Sequence, residues 1–137
     1  MKFFFDNNLS AHHAHAIREL SKISPEVTAV VHLSDRFPRN VPDVEWIGEL
    51  AREGHWYILS KDRFDKNRDS EREALRRAGH TVFVLDKQWS EQKFWAQAER
   101  LVKWWPQVIQ QATLFSGGGL RVPWHHSTSA KFSPIKL

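Results

Sequence analysis

Apolar residues come first in short unbroken runs and then at helical spacing, and the two patterns alternate along the chain. The opening "MKFFFDNNLS" places three consecutive Phe directly before Asp-Asn-Asn. A run that apolar predicts a strand, Lys2 to Phe5, buried within a domain. Val27 to Leu33 is a second β-branched run, "WYILS" a third and "TVFVL" a fourth.

Between the runs the period lengthens. Leu9, His13, Ala16, Ile17 and Leu20 share one stripe of a helix spanning Ser10 to Leu20, with Ser10 as its N-cap. The Pro-interrupted "SDRFPRNVP" leads to a helix over Asp43 to Arg52, with Val44, Ile47, Leu50 and Ala51 inward and Gly54 beyond its end. The charged "KDRFDKNRD" precedes a helix from Ser70 to Ala78, closed by Gly79. From Ser90 to Ala112 apolar residues recur at Phe94, Ala98, Leu101, Trp105 and Val108, and Pro106 is expected to break or kink that helix.

Strands alternating with helices require right-handed crossovers and a parallel sheet covered on both faces. The expected fold is a small α/β/α sandwich of three layers with a central parallel sheet of about four strands. We assign residues 1–115 to this domain. Residues 116–137 read as a Gly-rich hinge and tail, in which "LRV" can add an edge strand.

Composition narrows the function. The chain has no Cys, which excludes disulfide and thiolate chemistry. No run approaches about 18 apolar residues, and the first residues are too short for a signal core, so the expectation is a cytoplasmic protein with no membrane partner. Lys and Arg total 20 against 16 Asp and Glu, a net charge of +4 that permits a polyanionic partner such as RNA. Five of the seven Trp lie from Trp89 onward, and their helical spacing reads as core packing rather than base stacking.

Ligands of an open parallel sheet bind beyond the carboxyl ends of its strands. Strand 1 ends in Asp6, strand 3 in Ser60-Lys61-Asp62 with Asp65 shortly after, and Asp43 and Glu45 open a helix at that same edge. Sequence-distant acids therefore meet at one rim. Carboxylates gathered in this way repel unless a cation sits among them, and hard oxygen ligands suit Mg²⁺ or Mn²⁺. Lys61, Arg63, Lys66 and Arg68 follow strand 3 closely and could hold a nucleic-acid backbone, or form a solvated, salt-bridged surface with the interleaved acids. Each acid also has a plain structural reading: Asp6 and Asp62 as turn residues, Asp43 as a partner of the helix dipole.

Other chemistries find less support. "AHHAH" and His125-His126 lack the Cys of a zinc site, no Gly-x-Ser-x-Gly elbow is present, and no Gly-rich nucleotide loop follows a strand. A receiver-like phosphoacceptor would use Asp6, Asp62 and Lys87, but receivers pair two acids where this chain has Asp6-Asn7-Asn8. A haloacid-dehalogenase-like phosphatase needs an acid at Asn8.

"FFFDNNLS", the acid-led "PDVEWIGELARE" helix and "YILSKDRF", in that order and spacing, resemble the PIN-like ribonucleases, in particular the short branch that includes toxins of bacterial toxin–antitoxin pairs. The resemblance covers Lys2 to Lys87. It implies a metal-dependent endoribonuclease in which Asp6, Asp43 and Asp62 ligate one or two Mg²⁺ or Mn²⁺ ions and activate water for in-line attack on a phosphodiester. By that likeness Asp65 is a supporting acid, Asn8 orients Asp6 or touches substrate, Ser60 hydrogen-bonds within the site, and Lys61 and Arg63 bind substrate. Larger PIN domains carry a Glu inside the central helix, which leaves Asp43 and Glu45 as alternatives for the second acid. The partners implied are RNA and an antitoxin, with a homodimer left open. The rival from within the same fold is a non-catalytic PIN-like binding module.

Overall fold

The computed structural model describes residues 1–62, 64 and 69–137. The chain runs β1 (Lys2–Phe5), α1 (Ala11–Ser21), β2 (Ala29–His32), α2 (Leu33–Arg36), α3 (Asp43–Ala51), β3 (Tyr57–Ser60), α4 (Asp69–Ala78), β4 (Thr81–Leu85), a 3₁₀ turn (Lys87–Glu91), α5 (Phe94–Leu114), β5 (Gly119–Val122) and β6 (Ser133–Ile135). The sheet order is β2-β1-β3-β4-β5-β6, parallel throughout except for the last pair.

The expected α/β sandwich is present, with six strands rather than four. The two extra strands come from residues 116–137. β5 contains the "LRV" read as an edge strand, yet it lies inside the sheet, because β6 returns antiparallel and takes the edge. Pro134 in β6 removes a ladder donor from that outermost strand, the position in a sheet that tolerates proline. Phe132 and Leu137 are buried with the rest of the core.

The Phe triplet works because β1 is covered on both faces. Phe3 and Phe5 join Ile17 of α1 and Leu101, Trp104 and Trp105 of α5 in one apolar layer. Phe4 points the other way, stacking on Trp46 at 4.7 Å among Ile47 and Leu50 of α3 and Leu75 of α4. Alternating side chains of one strand thus tie both layers together. Ser10 caps α1, its Oγ accepting from His12 N at 3.1 Å.

Three further readings are corrected. Pro106 lies inside a continuous α5, where Leu101, Trp104 and Trp105 before it and Val108 and Ala112 after it are all buried, so packing on both sides holds the helix through the missing N–H. In α3, Val44 faces outward at 45% exposure and Trp46 takes the inward place. Leu20, assigned to the buried stripe of α1, is 52% exposed near that helix's end. No helix among the described residues is long and apolar enough to cross a membrane.

Candidate active site

The chain leaves β1 for β2 on one side and reaches β3 on the other, so the order in which strands are added reverses between the parallel neighbours β1 and β3. In doubly wound sheets the ligand crevice opens beyond the carboxyl ends at such a switch point. Asp6 follows β1 and Ser60 closes β3 at that place. Asp6 N donates to Leu59 O at 2.9 Å, extending the β1–β3 ladder to the acid itself.

Asp6 is 5% exposed, and both of its oxygens are held. Oδ1 accepts from Asn7 N at 2.6 Å and Oδ2 from Ser60 Oγ at 2.8 Å. Ser60, fully buried, in turn accepts from Asn8 Nδ2 at 3.1 Å and Asp62 N at 3.0 Å. Asn8 Oδ1 accepts from Lys61 N at 3.1 Å, so one side chain spans the first and third strand ends. Asp62 Oδ1 accepts from Phe64 N at 2.9 Å, closing a turn in which buried Phe64 adopts φ 54°. The left-handed backbone at a bulky residue is uncommon, and the buried ring anchors the turn that presents Asp62.

Asp43 sits in the first turn of α3, where the helix dipole favours an anion. Its Oδ1 accepts from Trp46 Nε1 at 2.9 Å, and the Trp46 ring is wholly buried against Phe4. A core aromatic one turn along the helix therefore orients the acid. Trp46 was missed as a site residue because its apolar periodicity accounts for it fully; the signal available was the Asp-x-x-Trp spacing on one helix face.

Burial pushes the Asp6 carboxyl up to about 6, against the hydrogen bonds from Ser60 and Asn7, and the charges of Asp43 and Asp62 push it the same way. Among the described residues the acids whose charge reaches Asp6 are these two, and Glu45 stands exposed in the same first turn as Asp43. Lys61 is half-buried, and burial lowers its ammonium below the usual lysine range. Arg63 and Asp65, with Lys66 and Arg68, fall outside the described residues.

The histidines have other work. His32 Nε2 donates to Leu9 O at 2.7 Å and its Nδ1 accepts from Ser34 N at 3.0 Å, capping α2. His80 Nε2 donates to Ile47 O at 3.1 Å and its Nδ1 accepts from Trp56 N at 3.1 Å. His15 meets Asp35 at 2.8 Å.

Among the described residues no three His, Asp or Glu side chains form a group that could enclose a metal ion by themselves. That does not disqualify the donor set. Mg²⁺ keeps several waters and is typically bound through one or two carboxylates together with substrate phosphate, not by an all-protein cage. A buried carboxylate with two further acids acting on it is an oxygen donor set of the kind a hard cation relieves.

The fold is a doubly wound sheet with Asp6 buried at its switch point and the charges of Asp43 and Asp62 reaching it. Residues 1–87 match the model of the PIN like domain, and the chain belongs to that family. PIN-like domains are commonly nucleases. Neither the curated proteins nor the solved structures yield a match.

Proposed function

We propose that the protein is a Mg²⁺- or Mn²⁺-dependent endoribonuclease that hydrolyses RNA phosphodiesters at the rim formed by Asp6, Asp43 and Asp62, and that it is the toxin of a toxin–antitoxin pair. The observation that carries the nuclease reading is Asp6 itself. A carboxyl buried at the switch point, pushed up to about 6 with two more acids acting on it, is an arrangement that is unfavourable without a cation.

In this reading Asp6, Asp43 and Asp62 hold the ion. A divalent cation bound there supplies an activated water and stabilises charge on a phosphoryl group. Ser60 fixes Asp6 Oδ2 by donating to it, and Asn8 locks the β1 and β3 ends so that Asp6 and Asp62 keep their spacing. Trp46 orients Asp43. Lys61 offers a cation to the RNA backbone, a role we extend to Arg63, with Asp65 as a supporting acid. The proposed antitoxin acts by covering this rim.

The deciding experiment is cleavage of a mixed RNA by purified protein with Mg²⁺, Mn²⁺ or EDTA, beside folded Asp6→Asn and Asp62→Asn variants. Metal-dependent cutting that both substitutions abolish is expected. A folded wild type that cuts nothing, and whose melting temperature metal does not raise, overturns the reading in favour of a non-catalytic binding module. Growth arrest on expression, lost with Asp6→Asn and relieved by co-expressing a neighbouring small gene, tests the toxin role separately.

A further inference from the structure

α5 buries one side against the sheet and still shows an apolar stripe on another. Trp95, Ala98, Val102, Pro106 and Ile109 recur every three or four residues along it, with Trp95, Val102 and Pro106 exposed and the other two half-buried. α1 runs beside α5 in the same direction, held by His13 Nε2 donating to Phe94 O at 3.0 Å near the start and Trp105 Nε1 donating to Ser21 Oγ at 2.9 Å further on. Leu20 and Ile23, the latter 87% exposed, stand across a groove from Val102, Pro106 and Ile109, and Val102 joins this groove to a smaller one under Ala16 and Ala98. α5 lies outside residues 1–87, which match the family model, so this face is not part of what the match accounts for.

The charges bordering the stripe choose its occupant. Glu99 and Lys103 are exposed one turn apart along a single edge of it, and neither makes an ion pair among the described residues. The charges on the α1 side are matched within the chain, Lys22 with Glu19 at 2.6 Å and Arg18 with Asp35 at 3.5 Å. A partner of one sign would satisfy one of the open pair and repel the other. A second copy of this chain, turned antiparallel about a two-fold axis near Val102, satisfies both. That operation keeps the charged edges of the two helices on the same side and reverses their direction, so Glu99 of each copy meets Lys103 of the other. It also matches the stripe, setting Val102 against its own copy and Trp95 opposite Ile109. A parallel pairing would turn the charged edge of one copy onto α1 of the other, where the charges are already matched. Glu91 before α5, and Leu114 and Phe115 at its end, are exposed beyond the matched span.

We propose that the protein forms a homodimer in which α5 of one copy packs antiparallel on α5 of the other about a two-fold axis at Val102, with Leu20 and Ile23 of α1 closing the flank. The proposal goes beyond the nuclease reading and does not depend on it. Helices packed in this way lie about 8–10 Å apart, and Ala98 and Val102 are small enough at the crossing to allow it. Because α5 starts at the carboxyl edge of the sheet, the antiparallel pair sets the two carboxyl edges at opposite ends, and the two Asp6 rims point away from each other.

The test is sedimentation velocity of the full chain from about 1 to 100 µM. Wild type is expected to be a dimer at the upper end, and Val102→Glu, checked for folding by circular dichroism, a monomer throughout. Glu99→Lys and Lys103→Glu should each weaken the dimer about tenfold, and the two together in one chain should recover wild-type association. The chain has no Cys, so Val102→Cys adds a single thiol. It should oxidise to a disulfide between copies, since the axis brings the two Cα atoms at this position within the roughly 7 Å that such a bond spans. Arg77→Cys, exposed on α4, should stay unlinked. Wild type that is monomeric across the range overturns the proposal. So does a dimer that Val102→Glu leaves intact, or a double charge reversal that associates no better than either single one.

Discussion

Ser60 Oγ donates to Asp6 Oδ2 at 2.8 Å while accepting from Asn8 and from Asp62 N, so one buried hydroxyl ties together three of the polar residues at the rim. Ser60→Ala removes the hydrogen bond that holds the Asp6 carboxyl down and leaves the other two donors unmatched. We expect a loss of about 1–3 kcal/mol in urea unfolding at neutral pH. The acid limb of the cleavage profile should also move to higher pH, and an unmoved limb would mean that Ser60 is structural only.

Asp6 gives a pH dependence of stability with a definite sign. Its carboxyl titrates near 3.8 when unfolded and about 6 when folded, so the native state binds this proton more tightly. The stability it contributes is present in full below 3.8 and is lost as pH rises through about 6. Above that range the buried carboxylate costs up to about 3 kcal/mol. Asp6→Asn should therefore be more stable than wild type at pH 8 and show little or no gain at pH 4. Mg²⁺ should raise the melting temperature of wild type at pH 8 and leave Asp6→Asn unmoved.

The parallel sheet was legible because β1, β3 and β4 are nearly unbroken apolar runs, and burial on both faces leaves such runs no other place in a soluble domain. Asp6, Ser60 and Asp62 were legible for a related reason: a residue that follows a central strand must emerge at the ligand edge. The tail was harder. β5 is four residues with a Gly and an Arg, and its pairing with β4 and β6 is decided by Phe132 and Leu137 packing from far along the chain. Trp95 was grouped with the core tryptophans because spacing reports that a residue is on a helix, and only the packed neighbours show which way it faces.

Trp46→Phe tests whether the core positions the acid. Phe can fill most of the space against Phe4 but cannot donate to Asp43 Oδ1. The variant should fold, with a loss of about 1–3 kcal/mol, and cleave roughly tenfold more slowly. The same substitution made in an Asp43→Asn background should cost nothing further in cleavage, since the group it positions is already gone. Additive losses would show that Trp46 acts through packing instead.

Phe132 decides whether residues 116–137 belong to the folding unit. Its ring meets Trp104 at 5.1 Å and Phe83 at 6.0 Å, bridging α5 and β4, and it is 4% exposed. Phe132→Ala would open a cavity between the sheet and α5, at a cost of about 3–5 kcal/mol. The acids lie beyond strands on the other side of β4, so at a temperature where the variant is still folded its cleavage rate should stay near that of wild type. A single cooperative transition shifted to lower urea would place the tail in the same folding unit as the site. Two separate transitions, the first without loss of cleavage, would show that the tail folds as an appendage and that the nuclease domain ends before it.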